Sequence, residues 1–282
     1  GNMEYDTPHA FLLQYIRSGD LRFFKAGEEA ARHHMDIDTC HYSRDRRRVG
    51  MMYVHCLCHM GDYYPDYYRK GAISRGMGDV SHTWTQGFLD YYFLTGYRRS
   101  LEAAKKAADM YDRYRTVNYD FTNCRVPGWH LILTMAVYQA TGDEFYLNAA
   151  KIIVRRVLER QTPGVGGWLR QLMPGHCHCI PRHRGNADFM VGILLSGLKL
   201  YHQATGDQAV ADSIVRGAEF LIRDMWVPEV KGFRYTSCPR SPAGRENTLM
   251  LEGPSYAYRL SGKELFKDVV LEAIAPAAES VG

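Results

Sequence analysis

The sequence predicts an all-α fold, an α/α toroid built from helical hairpins. Two observations predict it: a glycine-centred turn recurs five times, and the two segments that flank each turn differ in how their apolar residues are spaced. The turns are SGDLRF, TGYRRS, TGDEFY, TGDQAV and SGKELF, and they begin at Ser18, Thr95, Thr141, Thr205 and Ser261. Glycine just past a helix takes the left-handed conformation that ends it, and the residues that follow restart a helix. We therefore expect five hairpins with tight turns.

The two helices of each hairpin differ in kind. In the second helix, apolar residues recur on one face and charges occupy the other, as in a half-exposed helix. The face is formed by Leu101, Ala104, Ala108 and Tyr111 in one hairpin, by Leu147, Ala150, Val154 and Val157 in the next, and by Ala211, Ile214, Ala218 and Leu221 in another. First helices, such as 88–94 and 189–198, are apolar nearly all round and are expected to be buried on every side. A ring of buried helices inside a ring of amphipathic ones is an α/α toroid.

Connection lengths indicate which face of the toroid carries function. Turns within hairpins have two or three residues, whereas the links between hairpins are long and run roughly over 37–80, 115–127, 161–185 and 227–245. All of the long links precede first helices, so they lie together at the amino ends of those helices, where loops carry function and anionic groups are favoured. Five hairpins leave a six-hairpin ring one short. Either the ring is open, or segment 37–80, with MMYVHCLCHM as its helix, completes it.

Composition narrows the class of protein. With 282 residues and 46% hydrophobic residues, the chain can form one domain over 1–282, or be a fragment of a longer chain. Its net charge of +4 is mild and spread out, which argues against a nucleic-acid partner. The lack of an apolar run of about 18 residues argues against a membrane partner. The opening GNMEYDT shows no signal peptide, and seven cysteines, an odd number, favour reduced thiols in a reducing compartment.

Two long stretches carry a family resemblance. SHTWTQGFLDYYFLTGYRRSLEAAKKAADMYDRY and GWHLILTMAVYQATGDEFYLNAAKII resemble the six-hairpin glycosidase-like (α/α)6 toroids, and the resemblance covers most of residues 81–282. Within this group the chain is similar to exo-rhamnogalacturonan-lyase-like proteins and to uncharacterised glycoside-hydrolase-like domains. The resemblance implies a carbohydrate substrate bound in a funnel, and such a role would permit the periplasm. It leaves both a glycoside hydrolase and a polysaccharide lyase open.

The stretch SHTWTQ is expected to start a first helix on the loop face, with Ser81 as its N-cap. His82 and Gln86 are four residues apart, so on a helix they would share a face. His82 is then a candidate acid or base, while Gln86 and Trp84 would bind sugar hydroxyls and stack on a sugar ring. The alternative is that His82 caps the helix and Trp84 belongs to the core. PGWH repeats the pattern at the next first helix, which adds two substrate-binding candidates, Trp129 and His130.

Carboxylates beside arginines mark two further first helices. HRGNADF places Arg184 and Asp188 at one helix start, and GRENTLMLEG places Arg245 and Glu246 at the other. Glycoside hydrolysis needs two carboxyl groups, about 5–5.5 Å apart for retention and about 6.5–9.5 Å apart for inversion. Asp188 and Glu246 are the best carboxylate pair. Arg184 is a further catalytic candidate, and Arg245 is a candidate substrate contact. Alternatively, each carboxylate only stabilises its helix terminus or pairs with its arginine neighbour.

A lyase would need a base together with cations that neutralise a uronate carboxylate. The loop CHYSRDRRR supplies the candidate contacts His41, Tyr42 and Arg44. Arginine's planar fork binds a carboxylate with two hydrogen bonds, so the many arginines and histidines on the loop face favour an acidic saccharide. The rival function class is a non-catalytic toroid that acts as a carbohydrate-binding or interaction module.

The stretch PGHCHCIPRHRGNADF raises the possibility of zinc. Structural zinc sites commonly use a C-x2–4-C or H-x3–5-H spacing, which neither C-x-C nor H-x-H provides. A zinc site would have to combine His176, Cys179 and His183 with residues of the second His/Cys stretch, His55 and Cys58. We expect instead reduced cysteines beside pocket histidines, with no metal and no cofactor.

Overall fold

The computed structural model describes residues 5–53, 78–244 and 248–279. These residues form five helical hairpins, as the sequence predicts. The hairpins are α1 (Thr7–Ser18) with α2 (Leu21–His33), α3 (Gln86–Thr95) with α4 (Arg98–Tyr114), α5 (Arg125–Thr141) with α6 (Glu144–Arg160), α7 (Asp188–Thr205) with α8 (Gln208–Met225), and α9 (Glu252–Ser261) with α10 (Glu264–Glu279). None of the described helices has both the length and the apolar character that crossing a membrane demands.

Every hairpin turn contains a glycine with left-handed backbone. The φ angles lie between 66° and 72° at Gly19, Gly96, Gly142, Gly206 and Gly262. The N–H of each donates to the carbonyl four residues earlier, which closes the last turn of the preceding helix. An L side chain would be strained at such angles, so glycine is what lets these helices end within a tight turn.

The described residues pack as two compact units. The first comprises Gly1–Asn118 and Ile132–Ala150, and the second comprises Tyr119–Leu131 and Lys151–Gly282, so the boundary falls within α5 and α6. Trp84, Phe88 and Tyr111 are among the fully buried side chains of the first unit. Trp168, Leu194 and Phe220 are among those of the second.

The helices bury the faces that the sequence predicts, with one exception. The amphipathic helices α4, α6 and α8 bury their apolar faces, and α7 is buried along most of its length. The prediction of complete burial over 88–94 was wrong for the last turn of α3, because Phe93 and Leu94 are 61% and 40% exposed. Both residues directly precede the hairpin turn at Gly96, where the helix ends.

Helices α5 and α7 come into close contact within the second unit. A Cβ on Gly128 would lie 2.7 Å from the Leu194 backbone nitrogen and 2.8 Å from the Ile193 carbonyl carbon. A Cβ on Gly197 would lie 2.8 Å from the Gly128 carbonyl oxygen. Both glycines therefore permit a close backbone approach between the first turn of α5 and the middle of α7.

Gly128→Ala is expected to lower the free energy of unfolding by about 1–3 kcal/mol, because the new methyl group would overlap backbone atoms that cannot rotate away. A Gly→Ala change inside an unobstructed helix would instead stabilise by about 0.5–1 kcal/mol. Urea denaturation of the Gly128→Ala variant and of the wild type measures the change in the free energy of unfolding. Gly244→Ala is the control, since a Cβ there would meet no described atom within 4 Å. Equal stability of the Gly128→Ala variant and the wild type would contradict the close approach.

The long links carry short strands that the sequence did not reveal. Between α6 and α7, β1 (Arg170–Gln171) pairs antiparallel with β2 (Arg184–Gly185). Between α8 and α9, β3 (Trp226–Val227), β4 (Gly232–Arg234) and β5 (Ala243–Gly244) form an antiparallel sheet. Strands of two or three residues are too short to show an alternating pattern. The helix predicted in MMYVHCLCHM falls largely on 54–60, outside the described residues.

Candidate functional site

Two long links of the second unit meet just before α7. Residues 186–188 run antiparallel to 235–237, with the Asp188 N–H donating to the Tyr235 carbonyl at 3.1 Å and the Ser237 N–H donating to the Asn186 carbonyl at 2.9 Å. The ring of Tyr235 stacks on Phe189 with 5.7 Å between centroids. The pairing therefore fixes Tyr235 against the first turn of α7.

Asn186 joins three separate segments at this point. It is 1% exposed, and its amide nitrogen donates to the Trp168 carbonyl at 2.8 Å and to the Thr122 carbonyl at 2.9 Å, with the Cys124 sulfur at 3.1 Å. Its side-chain oxygen accepts from the Ala187 N–H at 3.0 Å. Asn186 therefore fixes the backbone at Ala187, the residue that directly precedes α7. It was missed from the sequence, because an asparagine before a helix is an ordinary loop residue there.

Asp188 is the first residue of α7 and is 3% exposed. Burial raises its pKa to about 7, and the N–H groups of Phe189 and of Asp188 itself oppose that shift only in part. The Phe189 N–H lies 2.6 Å from its Oδ1. Within the described residues no cation forms an ion pair with it. A buried carboxyl group without a counter-ion is costly for folding and marks a candidate functional group.

A buried carboxylate of the first unit shows what a structural role looks like. Asp6 is also 3% exposed, and burial also raises its pKa. However, its carboxylate accepts from the Gly87 N–H at 3.2 and 3.3 Å and from the His9 N–H at 3.4 Å. His9 and His34 lower its pKa and partly offset the burial. Asp6 therefore caps helix ends, and two histidines partly offset its burial. No described histidine or other cation does the same for Asp188.

Arginines lie around the start of α7. The guanidinium of Arg125 lies over the ring of Phe189, 5.9 Å from its centroid. Arg170, on β1, pairs with Asp120 at 3.5 Å and is mostly buried. Arg184 lies on β2 and is exposed. Arginine at such positions can bind a carboxylate of a ligand.

Tyr235 and His176 form a polar pair near Asp188. Their rings meet edge to face with 5.3 Å between centroids, and the Tyr235 hydroxyl lies 3.4 Å from His176 Nε2. Burial, and then the charge of Asp188, raise the pKa of Tyr235, while Arg125 opposes the shift. Burial, and then Arg170, lower the pKa of His176. Both groups are therefore neutral over a wider pH range than free side chains would be.

Three cysteines of the second unit converge beside this pair. The Sγ atoms of Cys177, Cys179 and Cys238 lie within 4.8 Å of one another. The N–H groups of His183 and Cys179 point at the sulfur of Cys177 and lower the pKa of that thiol. A cavity of about 270 Å³ adjoins the three thiols. These residues could hold a metal ion. The set shares only Cys179 with the zinc ligands considered from the sequence, since Cys177 and Cys238 take the place of His176 and His183, while His55 and Cys58 lie outside the described residues.

The first unit holds His82, Trp84 and Gln86, and it corrects their expected geometry. The prediction that a helix starts at Ser81 was wrong, because α3 begins at Gln86 and residues 80–82 form a 3₁₀ turn capped by Asp79. His82 and Gln86 therefore do not share a helix face. The structure does bring His82 and Trp84 together, with 6.0 Å between ring centroids. Trp84 is 1% exposed and belongs to the core.

The other predicted substrate contacts have different environments. Trp129 and His130 lie in the second turn of α5 rather than at its start, because that helix begins at Arg125. Both are buried, and the Tyr119 hydroxyl lies 3.0 Å from His130 Nδ1. On the loop before Asp45, Tyr42 and Arg44 are exposed, while the His41 ring nitrogen bonds to the Met35 carbonyl.

Arg245 and Glu246 lie outside the described residues. The prediction that His82, Arg184 and Asp188 line one pocket with these two residues stays a prediction. So does the single-domain assignment over 1–282.

No protein-family model matches the sequence, and no curated protein sequence matches it. Solved structures do match. A polysaccharide lyase is 13% identical, with 98% of this chain and 77% of that chain covered and a TM-score of 0.66. A sugar epimerase from a ruminal bacterium is 11% identical, with coverages of 97% and 74% and a TM-score of 0.67. An unsaturated glucuronyl hydrolase from Streptococcus agalactiae is 13% identical, with coverages of 96% and 66% and a TM-score of 0.61.

At these identities the likeness shows the fold, and one fold can serve several chemistries, as the epimerase illustrates. It confirms the fold class predicted from the sequence and the resemblance stated there. The protein has the all-α (α/α)6 toroid fold of these carbohydrate-active enzymes.

Proposed function

We propose that the protein is a carbohydrate-active enzyme that hydrolyses a glycosidic bond in an acidic, uronic-acid-containing saccharide, with Asp188 as the proton donor. The observation that carries the proposal is the buried carboxyl group at the start of α7, which has a pKa of about 7 and no counter-ion among the described residues. Enzymes that cleave glycosidic bonds need a carboxylic acid that is still protonated near neutral pH.

The proton transfer follows from this environment. As the bond between the anomeric carbon and the leaving oxygen breaks, the Asp188 proton moves to that oxygen, and a water molecule adds to the anomeric carbon and loses its own proton to a base. Because the protonated acid and its conjugate base are close in free energy near pH 7, Asp188 can donate and then recover a proton. Glu246 is the partner carboxylate predicted from the sequence, and that role remains part of the proposal.

The arginines support an acidic substrate. Arg125 and Arg170 lie within the same unit as Asp188, and Arg125 is in contact with the residue that follows it. A guanidinium group can hold a uronate carboxylate with two parallel hydrogen bonds. The names of two similar structures, an unsaturated glucuronyl hydrolase and a polysaccharide lyase, agree with this substrate class.

The lyase and the non-catalytic module are the alternatives. A lyase would abstract a proton rather than donate one at first, and it would leave a carbon–carbon double bond in the product. A binding module would retain the saccharide unchanged. The raised pKa of Asp188 favours a donor, and a module would have no need of such an acid.

The test is to incubate the protein with saturated and with unsaturated uronic-acid oligosaccharides. We expect new reducing ends without new ultraviolet absorbance from the double bond of a lyase product. New absorbance from a saturated substrate would show a lyase instead. Binding without any cleavage of the oligosaccharides would favour the non-catalytic module and contradict the proposal.

A further inference from the structure

The cysteine cluster beside the candidate site has the geometry of a metal centre. The Sγ atom of Cys238 lies 3.6 Å from that of Cys177 and 3.7 Å from that of Cys179. Two thiolates bound at about 2.3 Å to a tetrahedral zinc ion stand about 3.8 Å apart, so these distances suit a shared ion. A disulfide would require about 2.05 Å between two of the sulfurs.

We propose that Cys177, Cys179 and Cys238 bind a zinc ion through three thiolates, with its fourth coordination position facing the adjoining cavity. Thiolate is a ligand that zinc takes in proteins, and three protein ligands with one open position is the arrangement of zinc sites that bind water or a substrate. The proposal does not depend on the hydrolase proposal, since it concerns other residues and a different ligand.

The loops around the cluster hold the three sulfurs in place. The Thr236 hydroxyl donates to the His176 carbonyl at 3.3 Å, and the Cys238 N–H lies 3.3 Å from the same hydroxyl oxygen. These contacts join two segments that are about 60 residues apart in the sequence, so the cluster is fixed by the fold and not by local spacing. Such a site cannot be recognised from C-x-C alone.

Hydrogen bonds to sulfur support thiolate ligands. The backbone N–H groups of Cys179 and His183 each lie 3.4 Å from the Cys177 sulfur. Donors of this kind orient a metal ligand and stabilise its negative charge. Cys177 and Cys238 are 5% and 2% exposed, which protects the sulfurs from solvent, while Cys179 is partly exposed.

The cavity explains the open position. Its volume is about 270 Å³, and its walls include the three cysteines, His176, His178, Tyr235 and Arg240. A zinc ion with three thiolates carries a net charge of −1, which the Arg240 side chain on the wall can offset. A water molecule is the expected fourth ligand in the resting protein.

Metal content gives the first test. Protein expressed with added zinc and purified under reducing conditions without chelators should contain about one zinc ion per chain by elemental mass spectrometry. Cys238→Ser and Cys179→Ser should each lower the zinc content at least tenfold. Cys40→Ser is the matched control, because Cys40 is also buried but lies in the first unit, and it should retain zinc.

Cobalt gives a readout that does not rely on the variants folding. After the zinc is exchanged for Co²⁺, the wild type should show thiolate-to-cobalt charge-transfer absorption and the intense visible bands of tetrahedral cobalt. Wild-type protein that binds neither zinc nor cobalt, or that shows a Cys–Cys disulfide by mass spectrometry after reducing purification, would overturn the proposal. Equal zinc in the Cys238→Ser variant and the Cys40→Ser control would also overturn it.

Discussion

Asp188→Asn is expected to lower the rate of glycosidic-bond cleavage by roughly 10²–10⁴-fold, because the amide cannot donate a proton to the leaving oxygen. The substitution keeps the size of the side chain and an oxygen that can accept from the Phe189 N–H. Folding should therefore be retained while the acid is lost. Measured kcat on a uronic-acid oligosaccharide tests this directly.

The same substitution should increase stability at neutral pH. Because the pKa of Asp188 is raised to about 7 in the folded protein, the folded state binds an additional proton between the unfolded pKa, about 3.9, and pH 7. The free energy of unfolding therefore falls as pH rises through that range and stays lower above it. The folded and unfolded pKa values differ by about three units, and each unit corresponds to about 1.4 kcal/mol. The loss in the free energy of unfolding is therefore at most about 4 kcal/mol. Asp188→Asn removes this penalty, so its advantage should be near zero at pH 4 and greatest at pH 8.

Urea denaturation at pH 4, 6 and 8 measures the effect against the wild type. Asp207→Asn is the matched control, because Asp207 caps α8 through the Ala209 N–H and asparagine caps equally well. That variant should keep both activity and the pH profile of stability. Full activity in Asp188→Asn would exclude the proton-donor role, and a stability difference independent of pH would exclude a buried, protonated carboxyl group.

Asn186→Ala is expected to have the second large effect, a loss of about 2–6 kcal/mol in the free energy of unfolding. The substitution leaves the carbonyl oxygens of Thr122 and Trp168 without the amide that now donates to them, and each buried orphaned acceptor costs about 1–3 kcal/mol. Because Asn186 also positions Ala187 just before Asp188, cleavage activity should fall as well.

Thermal and urea denaturation measure the loss of stability. Asn118→Ala is the control: its amide donates to the Tyr114 carbonyl on an exposed surface, so the change should be within about 0.5 kcal/mol. An effect at Asn186 no larger than that at Asn118 would contradict the proposed role in joining the three segments.

Local sequence patterns predict the hairpins well. Each recurring glycine turn marks a real helix end, because a left-handed residue is required there whatever surrounds it. The apolar faces of α4, α6 and α8 are equally local, since burial of one helix face needs only a regular 3.6-residue period. These two signals therefore predict most of the fold before any tertiary contact is known.

One local cap and several long-range contacts account for what was not predicted. The start of α3 is displaced from Ser81 to Gln86 because the Asp79 side chain caps a separate turn, and the Thr83 hydroxyl donates to the Tyr111 hydroxyl, 28 residues away. Cys238 joins the cysteines of the C-x-C motif only through tertiary pairing of the links. Asp188 is a candidate from its helix-start position, but that no cation among the described residues pairs with it is visible only once its surroundings are placed.

The pH dependence of kcat/KM for the hydrolysis of a uronic-acid oligosaccharide tests the central claim most directly. Asp188 must be protonated to donate, so activity is present below its pKa and is lost as pH rises through it. The account predicts that kcat/KM begins to fall at about pH 7 and then decreases tenfold for each further pH unit. Values of kcat/KM that stay constant or rise from pH 6 to about pH 9, or no hydrolysis at any pH, would contradict the account.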